Sequence, residues 1–174
     1  MKRFIDPFEY APLILNALKK GILLTTNCDG KLNTMTIGWG HLGIEWNQPT
    51  FAAYVRGCRH TKPMLDRCNE FTINIPLGEC DRNILKLCGT QSGRDLDKFA
   101  SLGLSPEPPE VISTPGIRQL PLTLECQVIY RQQQEPACVL DAHIYSHYQH
   151  PCPDVEQDYH TIYYGKILSA YIIE

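Results

Sequence analysis

Between Tyr10 and Lys20 the apolar residues Leu13, Ile14, Ala17 and Leu18 recur at three- and four-residue spacing, which predicts a short amphipathic helix that Gly21 ends. The pattern then turns strand-like. Gly21 to Asn27 predicts a strand, Asp29-Gly30 a tight hairpin turn, and Lys31 to Gly40 the antiparallel return. Asn47-Gln48-Pro49 predicts the next turn, ahead of a strand from Thr50 to Arg56. Three neighbouring strands in a meander fit an antiparallel barrel, because parallel partners need a crossover helix between them.

Thr61 to Asn69 reads as a helix of about two turns, opened by Pro63 and capped by Thr61. Glu70 to Pro76 sets Phe71, Ile73 and Ile75 against Thr72 and Asn74, the alternation of a half-buried strand. Asp81 to Leu87 and Asp95 to Leu102 predict two short helices joined through Cys88 to Arg94. Ser105 to Pro121 holds five prolines and reads as a surface connection within one domain spanning residues 1–174. Leu122 to Arg131, Ala137 to Ser146 and Tyr159 to Ile173 complete the predicted strands. No internal repeat is visible.

With 174 residues, the chain is long enough to bury roughly 70% of its surface on folding, so neither a metal nor a disulfide is needed to hold it together. A net charge of −3 lacks the basic footprint of a nucleic-acid binder. No apolar run approaches the roughly 20 residues of a membrane span, and Met1-Lys2-Arg3-Phe4 leads into Asp6-Pro7 rather than a signal core, so a cytoplasmic protein is expected. The eight cysteines form no C-x-x-C pair or zinc spacing and read mostly as buried thiols. Cys58, between Arg56 and Arg59, is either an uncommitted thiol or one activated by those charges.

Candidate chemistry gathers in Asn33 to Lys62. The second half of this stretch ends in Arg56, Arg59, Thr61 and Lys62, a set of donors suited to a phosphate. Cys88 to Phe99 adds Ser92, Arg94 and Lys98 near a helix start, although Arg94-Asp95 and Asp97-Lys98 also fit a solvated charged surface. Trp39 reads as packing. His143 and His147, placed on one strand, would stand about 13 Å apart and cannot share an ion, so no metal site is expected with His150 and Cys152. No Ser-His-Asp order, paired-carboxylate motif, Walker loop or G-x-G-x-x-G turn is present, and no residue is assigned as catalytic acid or base.

Asn33-Thr34-Met35-Thr36, Tyr54-Val55-Arg56, Arg59-x-Thr61 and C-G-T-Q-S-G-R-D-L-D-K-F, in that order, resemble the flavin reductase-like family, in particular its flavoredoxin branch, over Gly21 to Tyr171. The resemblance implies a mainly β fold, an antiparallel split β-barrel with a few short peripheral helices, binding FMN without a covalent bond as a homodimer. It implies hydride or electron transfer from NAD(P)H through FMN to a flavin or protein acceptor. Asn33, Thr34, Met35, Thr36 and Ile37 would run along the flavin ring, with backbone groups on its pyrimidine edge. Arg56, Arg59, Thr61 and Lys62 would hold the phosphate, and Cys88, Ser92, Lys98 and Phe99 would approach the cofactor. His160 opens the last family strand and is either a nicotinamide-side residue or a structural histidine. Arg59 and His60 stand where the family often has small hydroxyl residues, which would tighten phosphate binding and favour a prosthetic FMN over an exchanging one. Two alternatives remain at this point: an FMN electron carrier without NAD(P)H activity, and a split-barrel module for another phosphate ester.

Overall fold

The computed structural model describes residues 1–148 and 158–174. In chain order the elements are β1 (Lys2–Phe4), α1 (Ala11–Leu18), β2 (Ile22–Cys28), β3 (Lys31–Ile37), β4 (Gly40–Glu45), β5 (Gln48–Arg56), α2 (Thr61–Cys68) and β6 (Glu70–Ile75). There follow α3 (Arg82–Thr90), α4 (Lys98–Leu102), β7 (Pro106–Glu107), β8 (Gly116–Ile117), β9 (Leu122–Gln133), a 3-10 turn at Pro136–Cys138, α5 (Ala142–Ser146) and β10 (His160–Ile173). Eight of the strands form one antiparallel sheet in the order β3-β2-β6-β9-β10-β5-β4, with β1 added on β10. The sheet curls until β3 and β5 approach one another, yet no ladder joins them among the described residues. That gap is the split of the barrel.

Period-two alternation sorts the core. Leu24, Met35, Phe51, Val55, Phe71, Ile73 and Tyr163 face the barrel interior, while Leu23, one residue along β2, faces outward to pack with Ile84, Phe99, Leu104, Ile117 and Leu120. The Asp29-Gly30 turn forms as predicted, both residues taking positive φ (52° and 76°), the geometry that matches the twist of a two-residue hairpin.

Several expectations are corrected. The predicted meander is absent, because β3 and β5 lie far apart in strand order, and an unforeseen β4 pairs with β5 through a turn at Trp46–Asn47. Those two residues take positive φ of 48° and 57°, so the turn lies just before the predicted one. Ala137 to Ser146 is not a strand. The Asp141 carboxylate accepts from the N–H groups of His143 and Ile144 and starts α5, giving the backbone a helical alternative to a ladder.

β6 is buried on both faces rather than one, because the proline-rich connection folds over it. Thr72 Oγ1 donates to the Pro115 carbonyl at 2.8 Å, and Asn74 Oδ1 accepts from Ile117 N–H at 2.9 Å. Thr114, Ile117 and Leu120 are themselves fully buried, so this part of the connection is packed structure, while Pro106, Pro108 and Glu110 to Val111 stay at the surface as expected. Finally, Cys28 and Cys68 form a disulfide across 40 residues, where thiols were expected.

Candidate functional site

Two joined recesses open beside the barrel split. The narrower, about 120 Å³, lies between β3, the start of α2 and the turn from Gly89 to Arg94; the wider, about 350 Å³, runs along Met35 to Trp39 towards Tyr54 and His160. Met35, Thr36 and Arg59 line both. Larger grooves of about 1100 and 830 Å³ lie between α1 and α3 and below the β2–β3 hairpin. Size does not decide here, because the convergence of donors with an exposed strand edge occurs in the smaller pair.

β3 ends the strand order, so one of its edges has no ladder partner. The Lys98 ammonium reaches that edge, donating to the carbonyls of Thr34 at 2.8 Å and Cys88 at 3.1 Å. Antiparallel pairing alternates, so the backbone of Thr36, two residues on, turns the same way as that of Thr34. The side chains are committed elsewhere: Thr34 Oγ1 donates to the Leu24 carbonyl at 3.2 Å and Thr36 Oγ1 to the Leu85 carbonyl at 2.7 Å. Met35 and Ile37 are buried in the core. Backbone, not side chain, is what this strand offers a ligand.

At the narrow end Thr61 is the first residue of α2 and not its cap; His60 holds the cap position without a side-chain bond. Thr61 is 1% exposed and lines the narrow recess, and its hydroxyl oxygen accepts from Asn33 Nδ2 at 2.8 Å. Its N–H has no intrahelical acceptor. Burial first, then the charges of Arg94 and Lys98, hold His60 below its ordinary value, favouring the neutral ring. Gly93 passes so close that an added Cβ would sit 2.1 Å from Asn33 Oδ1.

The cations separate by role. Arg59 lines both recesses, and among the described residues its guanidinium makes no hydrogen bond or ion pair. Arg56 lines the wider recess but turns aside, donating to the His147 carbonyl at 3.2 Å and standing 3.6 Å from Asp158 Oδ2. Lys62 pairs with Asp66 at 2.7 Å and lines neither recess. Lys98 is 4% exposed, and burial lowers its pKa; its head is taken by carbonyls. Arg94 holds the Cys58 carbonyl at 3.2 Å, and Ser92 Oγ accepts from Arg94 N–H at 3.2 Å. Cys88 is buried, burial pushes its thiol up to about 11, and its carbonyl accepts from Lys98. Phe99 packs in the outer core and lines the neighbouring groove, not these recesses.

His160 closes the wider recess. It is 6% exposed, its Nδ1 lies 3.2 Å from the Tyr148 hydroxyl, and its ring centroid is 4.8 Å from that of Trp39. Burial, then Arg56, brings its pKa down to about 4 despite Asp158, so the imidazole is neutral near pH 7. Trp39, expected in the core, is 46% exposed and lines this recess with Tyr54. A Trp between two glycines carries no signal for which side of a strand break it will face. The Cys58 thiol donates to Asp158 Oδ2 at 3.1 Å, the carboxylate oxygen that Arg56 also approaches. His143 and His147 share a helix face with ring centroids 5.7 Å apart, which overturns the strand argument about them. No cluster of three metal-ligating side chains occurs among the described residues; His150 and Cys152 lie outside them.

The residues fit FMN on two counts. The uncommitted Arg59, the Thr61 hydroxyl and the start of α2 suit a phosphate, and the free β3 edge beside Trp39 suits a flat ring with hydrogen-bonding edges.

Residues 17–174 match the family model described as the flavin reductase like domain. Among solved structures, flavoredoxin of Desulfovibrio vulgaris (Miyazaki F) is 26% identical, with a TM-score of 0.66 over 88% of this chain and 69% of that one. Flavoredoxin from Methanosarcina acetivorans (24% identity, TM-score 0.63, 88% and 68%) and an FMN-binding domain of a flavin reductases-like enzyme from Shewanella baltica OS155 (14%, 0.69, 99% and 77%) share the fold. An uncharacterized protein of Archaeoglobus fulgidus is 24% identical over 138 residues, 79% of this chain, and the matched part spans 64% of that relative's length. The architecture is thus a split barrel shared with FMN-binding proteins, and the chain belongs to the flavin reductase-like family.

Proposed function

We propose that this protein binds FMN non-covalently in the two joined recesses and works as an oxidoreductase of the flavin reductase or flavoredoxin type, passing electrons from NAD(P)H to a flavin or protein acceptor. One observation carries the reading: Arg59 stands without an ion-pair partner among the described residues, at the junction of a donor-rich pocket and a free strand edge. In this reading Arg59, Thr61 and the N–H groups opening α2 hold the phosphate, and the free-edge backbone of Thr36 orients the ring. The bound FMN would supply the hydride and electron chemistry, while the chain binds, orients and tunes. Neutral His160 and Trp39 border the open side of the wider recess, where a nicotinamide would enter.

The same proposal includes a homodimer. Ile44 on β4 (71% exposed), Trp46 in the β4–β5 turn and Tyr130 on β9 are all exposed, with the Trp46 and Tyr130 rings 5.8 Å apart, an apolar patch that a second copy would cover. No helix of the described residues is long and apolar enough to cross a membrane, and the cytoplasm, which supplies NAD(P)H, is the proposed location.

The purified protein should show an oxidised-flavin spectrum or acquire one on adding FMN, and NADH or NADPH should bleach it in anaerobic stopped-flow. A flavin left oxidised by both nucleotides but bleached by a reduced redox protein would make it a carrier. A colourless protein that takes up no FMN would overturn the reading and leave another phosphate ester as ligand.

A further inference from the structure

The helix that carries the proposed phosphate cradle is fastened along its length to the β2–β3 hairpin. At its first residue Thr61 holds Asn33; in the middle Met64 Sδ accepts from Thr26 Oγ1 at 3.5 Å; near its end Arg67 meets Asp29 at 2.6 Å; and its last residue, Cys68, is bonded covalently to Cys28. These ties are not equal. The sulfur contact is weak, and the Arg67–Asp29 pair is exposed on both sides (70% and 60%), where ion pairs contribute little. α2 has only eight residues, too short to hold its own geometry without tertiary anchoring. Between helix and hairpin two anchors therefore dominate, one buried hydrogen bond at the ligand end and one covalent bond at the other, while Asp66 ties the middle of the helix to the sheet through Arg131 at 3.0 Å and the Tyr163 hydroxyl at 2.8 Å.

We propose that the Cys28–Cys68 disulfide is a reductant-sensitive clamp on cofactor retention: opening it releases the last residue of α2 from the hairpin and loosens the phosphate cradle at the near end. The inference rests on the FMN reading above. A small dithiol is the reductant. Its thiolate attacks one sulfur, the S–S bond breaks to leave a mixed disulfide, and the reductant's second thiol closes on itself; both cysteines end as thiols, and the dithiol carries away the oxidation as its own disulfide. Access exists on two sides. Cys68 is half-buried at the surface, and Cys28 lines the 830 Å³ groove, which also reaches Asn33, His60 and Gly93 at the cradle. Disulfides in reducing compartments are commonly transient and redox-sensing, and the cytoplasm proposed above is such a compartment.

The test measures FMN affinity by flavin fluorescence on the whole protein, first oxidised and then after dithiothreitol, with thiols counted in parallel. Failure of the oxidised protein to bind FMN would reject the function reading. Binding by the oxidised form, followed by a gain of two thiols and a weakening of Kd by about tenfold, equivalent to ~1.4 kcal/mol of ordering, is the expected result. A Cys28→Ala/Cys68→Ser double variant should bind FMN like the reduced protein and ignore the reductant. Hydrogen exchange across α2, read without FMN, should quicken on reduction. An unchanged Kd and unchanged α2 exchange after two thiols appear, or no gain of thiols at all, would overturn the clamp; these wild-type measurements stand even if the double variant does not fold.

Discussion

Asn33 and Thr61 are joined by a 2.8 Å side-chain hydrogen bond, both residues nearly inaccessible to water, and through it the edge strand of the barrel is tied to the first turn of α2. The bond sets the distance between the surface that would read a flavin ring and the donors that would hold its phosphate. Removing the amide leaves the Thr61 hydroxyl buried with one partner fewer. Asn33→Ala should therefore cost about 1–3 kcal/mol of stability, and weaken FMN binding as well. Urea denaturation with a Thr61→Val partner in a double-mutant cycle measures the coupling; additive effects of the two substitutions would show that the bond holds nothing.

Arg59 and Lys62 look alike in sequence and differ in surroundings. Among the described residues Arg59 has no ion-pair partner, whereas Lys62 is held by Asp66, which also receives Arg131 at 3.0 Å and the Tyr163 hydroxyl at 2.8 Å. Arg59→Met should weaken FMN binding by roughly 1.5–3 kcal/mol, the worth of a charged hydrogen bond, and leave riboflavin, which lacks the phosphate, almost unaffected. Lys62→Met should change FMN affinity little. Titrating both flavins into both variants checks it, and equal losses for FMN and riboflavin would remove Arg59 from the phosphate.

These contrasts mark how far the sequence could be read. Asp29-Gly30 and the loop through Arg59 and Thr61 were legible because their chemistry is local. Strand order was not: it depends on which distant strand β6 and β9 recruit, so the local pattern predicts β3 beside β5 although they are separated along the sheet. β4 was hidden in Gly40-His41-Leu42-Gly43, too glycine-rich for a strand pattern, and its turn places a tryptophan at positive φ. The fates of Arg56, Lys62 and Lys98 were fixed by Asp158, Asp66 and two main-chain carbonyls, partners that no spacing rule names. The Cys28–Cys68 pairing was equally silent, since 40 residues separate two cysteines among eight.

His160 gives a pH signature. Its folded pKa, about 4, lies below the ordinary 6.5, so the folded protein resists a proton that the unfolded chain accepts. Above pH 6.5 both states are neutral there and the residue has no differential effect. As pH falls from 6.5 towards 4 the unfolded state alone gains the proton, and stability should drop by on the order of 2–3 kcal/mol, levelling off below. His160→Asn should flatten that part of the profile relative to wild type. Chemical denaturation from pH 7.5 to 4 would show it, and parallel profiles for the two proteins would place the acid sensitivity elsewhere.

Gly93 should tolerate no side chain. It has no positive φ to defend, so the constraint is contact alone: a Cβ would lie 2.1 Å from Asn33 Oδ1 and 2.9 Å from both Asn33 Cγ and His60 Cδ2. Asn33 is short, buried and bonded to Thr61, and cannot swing clear without breaking that bond. The remaining relief is for the turn after α3 to lift away from β3, widening the narrow recess by the same movement. Gly93→Ala should thus destabilise by about 1–3 kcal/mol, as overpacking does, and weaken FMN binding in parallel. Gly43→Ala, where nothing lies within 4 Å of the added carbon, is the control and should stay within about 0.5 kcal/mol of wild type. Melting curves and FMN titrations of the pair decide the matter: an alanine at position 93 that changes neither would mean that the turn and strand are not in the close contact on which the cradle depends.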